Sequence, residues 1–446
     1  MEDKVRKNNI AVSIAAGFAI AVIAFCSAGC DDGLESTSAT PSNRHVHKWG
    51  SWTVTETEGT EERFCTIDNT HRETRLTGTE RFTFEPIGNI AYRVKGGLLT
   101  DGEIIIPDFY RPNKSYPFLH VTEIGGISDD YFHSAFEHYY FMTSVYIPAS
   151  VTTIGTWAFG HCTELATVTI TEDSHLAIIG AEAFYDCYSL TGITIPAGVM
   201  EIGNDAFKDC FNLTTLTIAE DSRLERIGRS AFLDCENIIS IAIPVGVTEI
   251  GSDAFRGCTK LAEITFAEYS RLMRIGSDAF DGTAITGMAI PIGVTSIGAR
   301  AFEHCAKLTT VTFAAGIQLV SIGNDAFYKS GLKNIVIPAS VTEIGLSAFE
   351  HCDDLETVTF EEDSQIDRIA TRLFYSTTKV ERVIIPASVK HLGSDIFANW
   401  TPAQTVYFAG FSSKARANAA CGDNNDYWYE WSDATIKYWD GHNWVD

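Results

Sequence analysis

Basic residues are scarce in this chain of 446 residues. Lys and Arg together number 33, against 58 Asp and Glu, so the formal net charge is −25 and the isoelectric point is near 4.8. A surface of this sign repels nucleic acid and anionic lipid headgroups, and we expect the mature chain to bind neither. The same charge complements basic patches on a protein partner or simply keeps the chain soluble, and composition leaves both roles open.

Catalytic motifs are also missing. The chain has no G-x-S-x-G, H-E-x-x-H, P-loop or dinucleotide-binding glycine pattern. His161, His304 and His351 each directly precede a Cys, and the side chains of adjacent residues point in different directions. They are therefore attributed to a repeating pattern rather than to a catalytic dyad. We predict that the protein is not an enzyme and that it needs no cofactor or metal.

The feature that dominates the chain is a Phe that recurs twelve times, at intervals of 22 to 25 residues. This period is that of leucine-rich repeats and is too short for a helix-pair repeat. Long and short intervals alternate, which is compatible with a structural unit of two coils. The recurring residues are Phe136, Phe159, Phe184, Phe207, Phe232, Phe255, Phe280, Phe302, Phe327, Phe349, Phe374 and Phe397.

Each repeat predicts a strand followed by a tight turn. The segment from Leu190 to Ile195 is short and β-branched, and Pro196 ends it, which favours a strand. From Val199 to Phe207, apolar residues recur every third or fourth position around Gly203, which allows a turn or one short helical coil. Stacked coils can bury the apolar faces that one coil cannot. The predicted fold is a solenoid with a parallel β-sheet on one face and turns or short helical coils on the other.

The repeat also resembles a known family. The pattern I-P-A-S-V-T-x-I-G-x-x-A-F-x-x-C-x-x-L, found at Ile147–Leu165 and Ile337–Leu355, is similar to the BspA-like leucine-rich repeats of bacterial and some protist surface proteins. The resemblance extends over about 121–408, and the segment 91–125 resembles the irregular first coil of that family. It implies a leucine-rich-repeat solenoid and a surface-exposed protein of adhesion or interaction, without naming the ligand.

The N-terminus has the organisation of an export signal. Three basic residues within the first seven positions precede an uncharged apolar run from Ile10 to Phe25, and small residues lead to Cys30. This ending resembles a bacterial lipoprotein box, although Ser27 stands where Leu is usual. The resemblance implies that Cys30 is lipidated and anchors the mature chain to a membrane. An uncleaved signal anchor, or secretion after cleavage elsewhere, is the alternative.

The predicted order along the chain is a signal peptide at 1–29, a polar tether at 30–44, a small β module at 45–79, a solenoid of about twelve coils at 80–410, and a C-terminal cap at 411–446. In the small module, four side chains could in principle form a tetrahedral zinc site, but their spacing fits no standard finger, so a packed β module without metal is preferred. Those side chains are His45, His47, Cys65 and His71.

Four of the eight Trp residues lie in the last nineteen positions. The terminal coil of a solenoid exposes apolar surface and needs a cover, which aromatic residues on a hairpin can supply. In the alternative, Trp439 and Trp444 form an exposed aromatic platform for a sugar or a peptide.

Seven of the 11 Cys residues lie three positions after a recurring Phe. Stacked coils would align them as a buried ladder whose parallel side chains are poorly placed for disulfides, and buried free Cys behaves as a small hydrophobic residue. Whether Cys65 and Cys421 pair is left open. The ladder residues are Cys162, Cys187, Cys210, Cys235, Cys258, Cys305 and Cys352.

The strands mark the candidate binding face, because one side chain points outward between the two inward apolar residues of each strand. A row of Thr forms a flat hydrogen-bonding surface suited to an extended partner, although Thr also simply suits strands. Departures from Thr make the C-terminal half the preferred contact region. The candidate residues are Thr169, Thr194, Thr217, Thr265, Thr312, Val336, Thr359, Arg382 and Ile384.

Acidic inserts in the long coils, such as Glu172-Asp173-Ser174, form a second candidate face. Their carboxylates could hold calcium, but no D-x-D-x-D spacing is present, so solvated loops are preferred.

Together the repeat pattern and the two resemblances imply a lipid-anchored protein, at the cell surface or outer membrane, that adheres to host or neighbouring-cell proteins, extracellular matrix included. A structural envelope scaffold or spacer with no outside ligand is the alternative.

Overall fold

The computed structural model describes residues 53–54, 60–64, 72–76, 82–97, 102–112, 117–126, 134–419, 433–439 and 442–445. Among these residues, no helix combines the length and the apolar character that crossing a membrane requires. The predictions for the signal peptide, the tether, Cys30, His45, His47, Cys65, His71 and Cys421 fall outside the described residues.

Short strands build most of the described chain. The N-terminal part contains β1 (Thr53–Val54), β2 (Thr60–Phe64), β3 (Arg72–Leu76), β4 (Phe82–Ile87), β5 (Ala91–Gly97), β6 (Glu103–Ile105), β7 (Phe109–Tyr110) and β8 (Leu119–Ile124). Strands β1, β2 and β3 pair in order as an antiparallel sheet. In the rest, β6 pairs parallel with the first strand of the repeat array, and β5 and β8 pair parallel with each other.

From residue 144 onward, long strands of four residues alternate with short strands of two. They are β9 (Ser144–Ile147), β10 (Thr153–Ile154), β11 (Thr167–Ile170), β12 (Ile178–Ile179), β13 (Gly192–Ile195), β14 (Glu201–Ile202), β15 (Thr215–Ile218), β16 (Arg226–Ile227), β17 (Ser240–Ile243), β18 (Glu249–Ile250), β19 (Glu263–Phe266), β20 (Arg274–Ile275), β21 (Gly287–Ile290), β22 (Ser296–Ile297), β23 (Thr310–Phe313), β24 (Ser321–Ile322), β25 (Asn334–Ile337), β26 (Glu343–Ile344), β27 (Thr357–Phe360), β28 (Arg368–Ile369), β29 (Arg382–Ile385), β30 (His391–Leu392) and β31 (Thr405–Phe408). The helix α1 (Lys414–Ala419) and the strands β32 (Thr435–Trp439) and β33 (Trp444–Val445) come after them.

Each coil gives one strand to each of two parallel arrays. The long strands form one array, and the short strands from β10 to β26 form a second, which continues through β8 and β5 to β4. The repeat pattern predicted the first array but not the second, because a two-residue strand such as Glu201–Ile202 is too short to show an alternating pattern. The rest of each coil forms turns, and within the described residues the helical alternative occurs in none of the coils.

A column of Phe rings fills the core. The twelve recurring Phe rings stack on one another from Phe136 to Phe397, and the rings of Phe207 and Phe232 are representative, with centroids 5.3 Å apart and an interplanar angle of 2°. Like Phe184 before them, both side chains are fully buried. The predicted register of the repeats along one axis is therefore confirmed.

The turns beside each Phe form a third ladder of hydrogen bonds. The backbone N–H of Phe207 donates to the carbonyl of Ala231 in the next coil at 2.8 Å, and equivalent bonds join the other coils. Two residues per coil adopt left-handed backbone conformations here, for example Asp205 and Asp209 with φ of 54° and 61°. Asp, Asn and His tolerate this conformation better than most residues, which explains their frequency in these turns.

Full four-residue pairing joins the long strands of the array in twos, and between these pairs a single residue pair, as between β11 and β13, or no pairing is present among the described residues. β13 and β15 pair over four residues, as do β17 and β19, whereas no pairing joins β15 to β17 among the described residues. In the second coil of four of these pairs an acidic insert follows the strand, and the last inward residue there, such as Phe266, is only half-buried. The alternating intervals in the sequence therefore correspond to a two-coil unit.

Neighbouring coils approach so closely at the Gly after each short strand that a side chain does not fit. A Cβ built on Gly228 would lie 2.6 Å from the carbonyl carbon of Gly203, while one on Gly192 would meet nothing nearer than 3.5 Å. Contacts below 3.0 Å with backbone require the coils to move apart.

We predict that Gly228→Ala lowers the free energy of unfolding by about 1–3 kcal/mol, because overpacking of a closely packed interior costs this much. Gly192→Ala is the matched control and should leave stability unchanged or slightly raised. Urea unfolding followed by circular dichroism measures both, and equal midpoints for the two variants would contradict the close packing of the coils.

Candidate functional site

The outward side chains of the long strands form one continuous row. Strand pairing sets Thr194 opposite Thr217 and Val336 opposite Thr359, and Ile384 lies opposite Tyr407. Their inward neighbours, such as Ile193, are buried, so the strand period alone exposes the row. All nine candidate residues are exposed on this face: Thr169, Thr194, Thr217, Thr265, Thr312, Val336, Thr359, Arg382 and Ile384.

The C-terminal end of this face is apolar and aromatic. Ile384 is 51% exposed, and the next outward residue is Tyr407. Strand β32 adds parallel to β31, and β33 folds back on β32 so that Trp439 lies opposite Trp444. The ring of Trp444 contacts those of Tyr407 and Trp439, with centroids 5.0 and 5.2 Å away. We name Arg382, Ile384, Tyr407, Trp439 and Trp444 the C-terminal patch.

The C-terminal strand also covers the end of the core. Tyr438 is buried and stacks on Phe408 with ring centroids 5.9 Å apart. The aromatic cap is therefore confirmed, but Tyr438 forms it. Trp439 and Trp444, at 38% and 37% exposure, lie on the outward face instead, where the aromatic-platform alternative needs them. The sequence could not distinguish these positions, because the register of β32 on β31 decides which residues face inward.

A cleft of about 550 Å³ opens in the same region, between β27 and β29. It brings Thr359, Arg382 and Ile384 together, with the acidic insert 361–364 on one side and the turn 386–388 on the other. Among the described residues β27 and β29 are not paired, and the cleft lies between them. The Ser388 hydroxyl in the cleft wall is buried and has no hydrogen-bond partner within the described residues. The cleft therefore offers a cation, carboxylates, an apolar side chain and an unsatisfied hydroxyl to a ligand.

The turn face carries a row of stacked carboxylates, Asp186, Asp209 and Asp234. Burial, followed by the neighbouring carboxylates of Asp186 and Asp234, raises the pKa of Asp209 to about 6, while Lys208 opposes this shift. Since its folded-state pKa lies above the unfolded value near 3.9, ionised Asp209 destabilises the fold, and this cost grows as pH rises from about 4 to 6.

Accordingly, Asp209→Asn should stabilise the protein above pH 6, and the gain should shrink toward zero at pH 4. Asn also accepts the left-handed backbone at this position. Urea midpoints of the wild type and the variant across pH 4 to 8 test the expectation, with Asp221→Asn in an exposed insert as the control. A gain that does not depend on pH would show that charge repulsion is not its cause.

The Cys ladder is buried, as predicted, and the seven Cys residues among the described positions are free. Each Sγ donates to the carbonyl of the Phe one coil before, as from Cys235 to Phe207 at 3.0 Å. Burial raises the pKa of Cys305 and Cys352 to about 12, so their thiols are not activated nucleophiles. In the last coil, Trp400 donates its indole N–H to the Phe374 carbonyl instead. The residue at this repeat position therefore acts as a buried hydrogen-bond donor to the preceding coil. The sequence pattern shows the recurring Cys but not this hydrogen bond.

Comparison with known families gives a match across the solenoid. A family model described as a BspA-type leucine-rich repeat region, in six copies, matches residues 131–262, 177–287, 225–320 and 273–404. These overlapping ranges together cover more than half of the chain. A search of curated proteins gives no significant match.

Solved structures of bacterial proteins are similar to the chain. A leucine-rich repeat protein from Bacteroides ovatus has a TM-score of 0.53 and 20% identity over 80% of this chain and 98% of its own, which shows the shared fold. A leucine-rich cell surface protein from Faecalibacterium prausnitzii has a TM-score of 0.45 and 22% identity over 80% of this chain and 93% of its own. The pneumococcal vaccine antigen PcpA has a TM-score of 0.46 and 17% identity over 87% of this chain and 98% of its own.

Proposed function

The chain belongs to the BspA-type leucine-rich repeat family, and from this premise we propose that it is an exported bacterial cell-surface protein that adheres to other proteins. Its partners are proteins of a host or of neighbouring cells, extracellular matrix included. The binding surface is the outward face of the long strands, and the C-terminal patch supplies most of the binding energy.

One observation carries this proposal: Ile384, Trp439 and Trp444 lie together with the ring of Tyr407 at the C-terminal end of the outward face, beside a cleft. Trp, Tyr and Arg are the side chains that most often dominate binding energy at protein interfaces, and all three occur in the C-terminal patch. Ile384 adds exposed apolar area next to the aromatic residues, and a contiguous apolar surface of this kind is typical of an interaction site. In the middle of the row Thr predominates, as at Thr194 and Thr217, which suits hydrogen bonding along the rest of an extended partner, and the row ends at Tyr146 and Ile105.

The charge of the cleft indicates the chemistry of the partner. Glu361, Glu362 and Asp363 line one side of the cleft, and the chain as a whole is strongly acidic. A partner segment that places a Lys or Arg in the cleft and an apolar side chain against Ile384 would complement both features. The acidic inserts then act with the strand face rather than as a separate site.

The double substitution Val336→Thr, Ile384→Thr tests the binding face, because it converts two exposed apolar residues into the residue that the row has at most other coils. Binding to the best ligand from a panel of immobilised matrix proteins and glycans should weaken about tenfold or more, which is about 1.4 kcal/mol. Stability should change little, since both positions are exposed β-strand sites.

Thr194→Ala, at the same row position in the N-terminal half, is the matched control and should bind as the wild type does. Surface plasmon resonance on the whole panel measures the outcome. Unchanged affinity of the double variant would disprove the role of the C-terminal half. Failure of the wild-type chain to bind any panel member would favour a structural spacer in place of an adhesin.

The export part of the proposal rests on the N-terminal signal and Cys30, which we propose is lipidated at the outer surface of the cell. Cys30→Ala should abolish incorporation of labelled palmitate, because it removes the thiol that carries the lipid. Protease treatment of intact cells should degrade the wild-type protein. A wild-type chain that stays intact until the cells are lysed would contradict exposure at the surface and indicate a scaffold inside the envelope.

A further inference from the structure

The first two coils of the array bring two imidazoles and a carboxylate together on the turn face. His138 and His161 each lie two positions after a recurring Phe, so stacking places one ring on the other, with centroids 4.6 Å apart and an interplanar angle of 7°. Glu137 precedes His138, and its Oε1 lies 3.3 Å from His138 Nε2. One ligating atom from each of the three residues lies within 4.8 Å of the other two.

We propose that Glu137, His138 and His161 bind a divalent transition-metal ion such as Zn²⁺, which links the first coil to the second. Two imidazoles and one carboxylate are a ligand set that suits zinc and its neighbours, while Ca²⁺ and Mg²⁺ need more oxygen ligands than this cluster offers. With His138 half exposed, solvent fills the remaining coordination positions.

Both rings are already oriented by hydrogen bonds to their second nitrogen. His138 Nδ1 lies 2.9 Å from the Tyr140 hydroxyl, and His161 Nδ1 lies 2.9 Å from an Asp186 carboxylate oxygen. Metal-binding His residues generally have such a partner, which fixes the tautomer and leaves Nε2 for the metal. A tetrahedral site with bonds of 2.0–2.1 Å separates its donors by about 3.3 Å, so rotation of the stacked side chains completes the geometry.

A second cluster of similar composition shows why the first is preferred. Asp281, Glu303 and His304 also bring ligating atoms within 4.8 Å of one another. There, however, Arg256 lies 3.5 Å from Asp281 and Arg300 lies 3.7 Å from Glu303, so guanidinium groups already neutralise both carboxylates. Among the described residues, no Lys or Arg forms an ion pair with Glu137, whose carboxylate faces His138.

Zinc uptake by the full chain tests the site. The variants are His138→Asn and His161→Asn, because φ at these positions is 64° and 58°, and Asn accepts a left-handed backbone. His351→Asn is the matched control, since His351 occupies the same repeat position with φ of 55° and belongs to neither cluster. Equilibrium dialysis with metal analysis should show that each of the first two variants binds one Zn²⁺ fewer per chain, whereas the control binds as many as the wild type.

Co²⁺ absorption identifies the ligands. The difference spectrum between the wild type and His138→Asn should contain d–d bands without thiolate charge-transfer bands, since the site has no Cys. Asp186→Asn keeps all three ligands and should weaken binding about tenfold to a hundredfold. Equal zinc uptake by the wild type, His138→Asn and His161→Asn would overturn the proposal. A wild-type Co²⁺ spectrum with no bands from nitrogen and oxygen ligands would also overturn the proposal. This second measurement uses the wild-type chain alone, so it does not depend on the folding of any variant.

Discussion

The close axial stacking of coils is the constraint on which the rest of the structure depends. Three hydrogen-bonded ladders and the Phe column repeat along one axis, with ring centroids between 5.1 Å, for Phe184 and Phe207, and 6.1 Å, for Phe374 and Phe397. At this spacing the backbones touch at the Gly after each short strand, as Gly203 and Gly228 do. Every residue therefore meets its own equivalent in the next coil, and each repeat position becomes a row.

A row of identical residues stabilises or destabilises the stack according to the chemistry of its side chains. Phe on Phe and Thr on Thr are favourable, because apolar rings exclude water and hydroxyl groups hydrogen bond. Charges are favourable only when the sign alternates: on the short strands Arg226 lies 2.7 Å from Glu201, and Arg274 lies 2.9 Å from Glu249. The row of Asp186, Asp209 and Asp234 lacks such alternation, and the raised pKa of Asp209 records the cost.

Features set by the repeat period are predictable from the sequence, whereas features set by the register between coils are not. The recurring Phe and the strand alternation correctly give the core column and the outward row with Thr194 and Thr217. The second sheet escapes prediction because its two-residue strands show no periodicity. The outward positions of Trp439 and Trp444 result from the pairing of β32 with β31, so they are not readable from local sequence. The contact of His138 with His161, by contrast, follows from the period, since both residues lie two positions after a recurring Phe.

The outward face is chemically distinct where the stacking is least regular. Among the described residues, both the long-strand and the short-strand ladders are interrupted before β28 and β29, and clefts of about 550 and 690 Å³ open on the two faces at this point. The turn ladder continues across it, since Phe349 N–H donates to the Leu373 carbonyl at 3.1 Å. On the C-terminal side of the interruption, Arg382 and Ile384 stand at strand positions where several other coils have Thr. The departures from Thr at Arg382 and Ile384 therefore lie beside the cleft, and they give the repetitive outward face a chemically distinct region.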